Sequence, residues 1–126
     1  MEGKLILKTI YVVDDSDTNL AMAEEALEDH FSVMTLPSAL KMFDLLEKIK
    51  PDLILLDIEM PGMNGFEALE RLKANAALSD IPVIFLTGTK NASIEEKSKN
   101  LGAVGLITKP FTPSVLLDLV SIRLPK

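Results

Sequence analysis

The sequence predicts an α/β chain, a parallel sheet covered by helices on both faces, and three observations predict it. Short apolar runs at Ile10–Val13, Leu53–Leu56 and Val83–Leu86 show no in/out alternation, as expected of strands buried on both faces. Stretches with helical apolar spacing lie between them. The two kinds of segment alternate strictly, which implies parallel strands joined by right-handed crossovers.

The elements follow in order. The first strand, Ile10-Tyr11-Val12-Val13, ends at Asp14. A helix from about Thr18 to Asp29 puts Leu20, Ala23 and Leu27 on one face, with Asp17, or else Ser16, as its expected cap. Phe31–Leu36 is a weaker second strand, and Pro37 marks a loop. The second helix is expected from about Ser38 to Ile49, with Leu40, Phe43 and Leu45 or Leu46 facing inward. Pro51 stands at the entrance of the third strand, Leu53–Leu56, where a missing N–H is tolerated. That strand ends at Asp57. Pro61 and Asn64-Gly65 punctuate a loop before a third helix carrying Phe66, Leu69 and Leu72. Pro82 precedes the fourth strand, which ends at Thr87. The fourth helix carries only Ile94, Ser98 and Leu101 on its inner face, so it is expected to be the mobile element. Val104–Ile107 is a weak fifth strand followed by Lys109, and Pro113 opens a fifth helix built on Val115, Leu116, Leu119 and Val120. With no repeat, low-complexity tract or linker, residues 1–126 read as one domain.

Composition removes several classes of function. Thirteen basic against nineteen acidic residues give a net charge of −6. A chain so charged is repelled by phosphate backbones, so direct nucleic-acid binding is not expected. No apolar run approaches the ~20 residues of a membrane span, and the stretch from Met1 to Leu7 is too short to be a secretory signal. A cytoplasmic location is the expectation. Cysteine is absent and His30 is the single histidine, which excludes zinc–thiolate sites and leaves little for a nucleophile–histidine triad. A metal, if used, would be a hard cation held by oxygen.

Candidate chemistry gathers at one edge. Asp14 and Asp15 follow the first strand, Asp57 ends the third, Thr87 ends the fourth and Lys109 follows the fifth. The C-terminal edge of an open parallel sheet is where ligands bind. If the first and third strands are neighbours, three carboxylates converge, repel, and raise one another's pKa values. Lys109 and a divalent cation would relieve that, and an all-oxygen set with a phosphate substrate favours Mg²⁺. A carboxylate in such a place can attack phosphorus and become an aspartyl phosphate. Lysine and threonine would neutralise the equatorial oxygens. Gly88 has no side chain to obstruct the phosphoryl group, and its N–H could contact it.

The set Val12-Val13-Asp14-Asp15, Leu55-Leu56-Asp57-Ile58-Glu59-Met60-Pro61-Gly62-Met63-Asn64-Gly65, Leu86-Thr87-Gly88 and Thr108-Lys109-Pro110-Phe111 resembles the receiver domain of two-component response regulators. The pieces stand in order over nearly the whole chain, spaced by 42, 30 and 22 residues from Asp15 through Asp57 and Thr87 to Lys109. The resemblance implies a flavodoxin-like, doubly wound (βα)5 sandwich with strand order 2-1-3-4-5. It implies Asp57 as phosphoacceptor, and Mg²⁺ held by Asp14, Asp15, Asp57 and the backbone carbonyl of Glu59. Lys109 would pair with phosphoryl oxygens, Thr87 would be the switch residue, and the Lys109–Pro110 bond would be cis. The donor would be a histidine kinase or a histidine phosphotransfer protein. The output would pass through the helix 4/strand 5/helix 5 face, with Glu95, Glu96, Lys97 and Lys99 on the partner surface, to an output partner or domain that the sequence does not name. A phosphorylation-dependent dimer and an N-terminal place in a larger regulator stay open. Such a domain is a switch rather than a turnover enzyme. Two positions flank the path of the hydrolytic water in the family, here Glu59 and Thr89. Leu106 departs from the pattern, standing where many receivers carry Tyr or Phe.

Other readings of these residues are weaker. Asp15-x-Asp17-x-Asn19 copies the start of a calcium loop, but Leu20 and Ala26 stand where glycine and a bidentate glutamate belong. His30 is expected at the end of the first helix, in a dipole and packing role. A flavodoxin-like FMN-binding module is the alternative function, yet Asp14-Asp15-Ser16-Asp17 would repel its phosphate. Aspartyl-phosphate phosphatases carry Asp-x-Asp at the nucleophile, whereas Ile58-Glu59 follows Asp57.

Overall fold

A computed structural model describes residues 7–124, so the stretch read above as lacking a secretory signal lies largely outside the described residues. Five strands, β1 (Thr9–Val13), β2 (Ser32–Leu36), β3 (Leu53–Asp57), β4 (Val83–Thr87) and β5 (Gly105–Thr108), alternate with five helices. The helices are α1 (Asp17–Leu27), α2 (Ala39–Leu46), α3 (Gly65–Ala74), α4 (Ala92–Asn100) and α5 (Pro113–Arg123). All strand pairs are parallel and the order is β2-β1-β3-β4-β5, the flavodoxin-like arrangement.

The central strands are apolar throughout because each face has its own core. Ile10, Val12, Leu53, Leu55, Ile84 and Leu86 pack with Leu20, Ala23 and Leu27 of α1 and Leu116 and Val120 of α5. Tyr11, Val13, Ile54, Leu56, Val83 and Phe85 pack with Met42 of α2 and Leu69 and Leu72 of α3 on the other face. Successive strand residues point to opposite faces, so in β1, β3 and β4 the runs Ile10–Val13, Leu53–Leu56 and Val83–Leu86 leave no position free to be charged before the rim is reached. The Tyr11 hydroxyl donates to the Ile49 carbonyl, satisfying the one polar atom such a tyrosine carries inward.

The structure corrects several expectations. The N-cap of α1 is Ser16, whose hydroxyl accepts from the Asn19 N–H, while Asp17 sits in the first turn. Either residue suits a cap by type, and backbone geometry decides. In α2 the inward face is Ala39, Met42 and Leu46, and Leu40 is 67% exposed. Leu46 is buried and Phe43 and Leu45 pack partly against the core, as expected, so only Leu40 was misplaced, because apolar residues lie on more than one side of this short helix. In α5, Leu116 and Val120 are buried but Val115 and Leu119 are exposed. β5 starts one residue later than expected, and His30 lies in the turn beyond α1, its N–H bonded to the Leu27 carbonyl. α4 is as thin as expected, with Ser98 its one buried residue.

Candidate functional site

The β1–β3 pairing brings the ends of these strands side by side, with Val13 opposite Leu56. Asp14 therefore leaves β1 next to the Asp57 that closes β3. Both are buried, at 0% and 2% exposure, while Asp15 is exposed. One carboxylate oxygen from each of Asp14, Asp15 and Asp57 can be chosen so that all lie within 4.8 Å of one another.

Two buried carboxylates need partners. Lys109 supplies one for both, with Nζ 3.2 Å from Asp14 Oδ2 and 3.0 Å from Asp57 Oδ1. It reaches them from the end of β5, across the β4 edge, where its own N–H donates to the Thr87 carbonyl. The Lys109–Pro110 bond is cis. The Glu59 N–H donates to Asp57 Oδ1 at 3.3 Å, and Asp14 accepts from the Ser16 N–H and from Asn19 Nδ2. In the sequence Asn19 stands out only as part of the rejected calcium-loop pattern. It lies in the first turn of α1, and only the fold places its amide on Asp14.

The electrostatics leave Asp57 poised. Burial pushes its pKa up, the Asp14 charge adds to this, and the hydrogen bond from Lys109 opposes it, leaving it at about 6. The repulsion expected among the carboxylates is seen at Asp57, from Asp14, but loss of water is the larger cause. Burial works against the Lys109 charge, yet the two carboxylates outweigh it and hold its pKa above the usual lysine range. Among the described residues, the Lys109 ammonium is the one cation paired with this cluster, and it bonds two of the three carboxylates. An all-oxygen, net negative donor set of this kind fits a hard divalent cation.

Thr87 is 1% exposed at the end of β4, one residue beyond the Asp57–Leu86 pairing. Its hydroxyl donates to the Thr89 carbonyl at 2.7 Å and accepts from the Thr89 N–H at 3.0 Å, so it is engaged with its own loop. The backbone of Thr89 as the partner of Thr87 was not visible in the sequence. Gly88 is exposed, and a side chain there would meet nothing within 4 Å, so crowding does not demand a glycine in this arrangement. Glu59 is exposed and touches the cluster through its backbone. Gly65, read in the sequence as a turn marker and as the end of the receiver motif with no role of its own, packs directly on the Asp57 backbone.

A family model described as response regulator receiver domain matches residues 10–121. The chain is 37% identical over 116 residues to a probable cyclic di-GMP phosphodiesterase of Vibrio cholerae, covering 92% of this chain and 26% of that protein. It is 35% identical over 113 residues to protein PilH of Pseudomonas aeruginosa, covering 89% and 93%. Several curated relatives are longer, and the chain spans 26% to 52% of three of them. Among solved structures, the chemotaxis protein CheY4 of Vibrio cholerae superposes with a TM-score of 0.89 at 28% identity, over 94% of this chain and 100% of that one.

Proposed function

We propose, from the premise that the chain belongs to the response regulator receiver domain family, that Asp57 accepts a phosphoryl group and that the acquired charge switches the face formed by α4, β5 and α5. The observation that carries this reading is the Asp57 carboxylate itself. It is buried, held at 3.0 Å by Lys109, and backed by two further carboxylates at the mouth of the sheet. A carboxylate oxygen of Asp57 attacks phosphorus of a phosphohistidine. The P–N bond breaks as the P–O bond forms, and the imidazole nitrogen keeps the electron pair and takes up a proton. The donor is a histidine kinase or a histidine phosphotransfer protein.

Asp14, Asp15, Asp57 and the backbone carbonyl of Glu59 are the residues that would hold Mg²⁺, which neutralises charge on the transferring phosphoryl group when bound. Lys109 orients the Asp57 carboxylate through its bond to Oδ1 and contributes a second positive charge. Thr87 exchanges its bonds to Thr89 for one to a phosphoryl oxygen, with Gly88 leaving the approach open. The phosphoryl group itself carries roughly −1.5 to −2 charge at pH 7. Because the Asp57 carboxylate gives up its own charge on esterification, the net gain is about one negative charge, displaced outward where it draws a hydroxyl and an ammonium inward. The domain, read as residues 1–126, acts as a cytoplasmic signalling switch with no substrate turnover beyond its own phosphorylation and slow dephosphorylation. The FMN-binding alternative finds no support, because the loop after β1 presents carboxylates where a flavin phosphate would sit.

The test is incubation with acetyl phosphate and Mg²⁺, followed by intact mass. Wild type gains one phosphoryl group, and Asp57→Asn gains none. An unmodified wild type, or an equally modified variant, rejects the assignment.

A further inference from the structure

We infer that Gly65 is a positioning residue for the phosphoacceptor: its missing side chain lets α3 start against the Asp57 and Ile58 backbone, and that contact sets where the Asp57 carboxylate points. The inference rests on the receiver reading above and names a residue which that reading does not use.

A β-carbon at Gly65 would collide with the Asp57 carbonyl oxygen and stand 2.8 Å from Ile58 Cα and 3.1 Å from the Asp57 carbonyl carbon. All three are backbone atoms, so no side-chain rotation relieves the clash. The demand is steric and not conformational, because only Gly62 and Gly102 have positive φ among the described residues. Gly62 at φ +78° has open space around it, and Gly88 has neither restriction. Of the glycines near the site, Gly65 is the one whose β-carbon would strike the phosphoacceptor.

Both sides of the contact are stiff. The Gly65 N–H donates to the Ile58 carbonyl at 2.8 Å, closing the loop that carries Glu59. Buried Ala68, Leu69 and Leu72 anchor α3 in the core. A capping box between Asn64 and Glu67 fixes its first turn. On the other side, β3 is fully buried, and the Ile58 N–H donates to the Leu86 carbonyl at 3.0 Å. Neither the helix nor the strand can yield freely. A methyl group at residue 65 would therefore turn the Asp57–Ile58 peptide. That swings Asp57 away from Lys109 Nζ and withdraws the Glu59 N–H from Asp57 Oδ1.

The test compares wild type, Gly65→Ala and Asn64→Ala by Mg²⁺ calorimetry on metal-free protein, by phosphorylation with acetyl phosphate, and by thermal unfolding. Asn64→Ala weakens the same helix start without touching Asp57. Gly65→Ala is expected to bind Mg²⁺ about tenfold more weakly and to phosphorylate about a hundredfold more slowly, while Asn64→Ala lowers only the unfolding midpoint. The proposal is overturned if Gly65→Ala matches wild type in both, or if Asn64→Ala loses as much. Should Gly65→Ala not fold, wild type still decides: on Mg²⁺ addition the Gly65 amide resonance shifts together with that of Glu59 while Leu69 holds still, and a stationary Gly65 resonance overturns the proposal. A wild type that takes neither Mg²⁺ nor phosphate overturns the receiver reading and this inference together, whereas an active wild type with an equally active Gly65→Ala overturns this inference alone.

Discussion

The region around β1, β3 and α3 and the region around β5 and α4 are built to different standards. In the first, strand residues are buried on both faces, α3 contributes four buried positions, and the carboxylates are held by named hydrogen bonds. In the second, α4 offers Ser98 as its one buried residue, with Ile94 and Leu101 only partly covered. A hollow of about 240 Å³ opens between α4 and β5, bordered by Lys90, Glu95, Ser98 and Leu106. The difference teaches a division of labour. On the proposed reading, the carboxylate that takes the phosphoryl group sits on rigid elements, and the surface that would respond is drawn from the weakly packed part of the fold.

Four measurements would break or sharpen that contrast. The largest effect is expected from Lys109→Met, which removes the cation shared by Asp14 and Asp57 and should slow phosphorylation by acetyl phosphate by two to three orders of magnitude, on the order of losing one preorganised electrostatic contact. Next, Leu72→Ala in the stiff region should cost about 2 kcal/mol or more in denaturant unfolding, whereas Leu101→Ala beside α4 should cost less because its site is already half open. Equal losses would erase the distinction.

The third measurement concerns pH. The folded pKa of Asp57, about 6, lies above its ordinary value of 3.8. The folded state therefore binds this proton more tightly, and the stability of the metal-free protein falls as pH rises through that window. Asp57→Asn should remove this component, so its stability relative to wild type should grow between about pH 4 and 6 and then level off. The smallest effect belongs to Lys97, whose ammonium lies 4.5 Å from the centre of the Phe66 ring, itself edge-on to Phe85 of β4. Lys97→Gln should cost about 0.5–1 kcal/mol, speed amide exchange in α4, and leave phosphorylation unchanged. The same contact qualifies the partner surface expected on α4, since Lys97 leans toward α3 while Glu95, Glu96 and Lys99 face solvent.

The contrast also governs what the sequence makes legible. Strands buried on both faces leave continuous apolar runs, so β1, β3 and β4 stand out, and the polar residue ending each run marks the rim. The edge strands β2 and β5 are half exposed, their runs are mixed, and their starts move by a residue. In α2 and α5 apolar residues occupy more than one side, and only the neighbouring sheet selects the buried one. Asn19, Gly65 and the Thr89 backbone escape sequence reasoning for a common reason. Their importance comes from approaches through space, an amide on Asp14, a backbone beside Asp57 and a loop folded onto Thr87, which no local pattern encodes. Asp17 and Ser16 differ too little in chemistry for type alone to choose the cap.

The buried tyrosine has a practical consequence. Tyr11 is the sole tyrosine, tryptophan is absent, and the ring is wholly enclosed beneath the rim with its hydroxyl turned to the far end of the sheet. Burial raises its pKa above the ordinary tyrosine value of 10.0, so tyrosinate absorbance should develop at higher pH than for an exposed tyrosine and should rise as the sheet comes apart. The chain thus carries a single optical gauge of its own core, and near-ultraviolet spectroscopy can follow melting without a label.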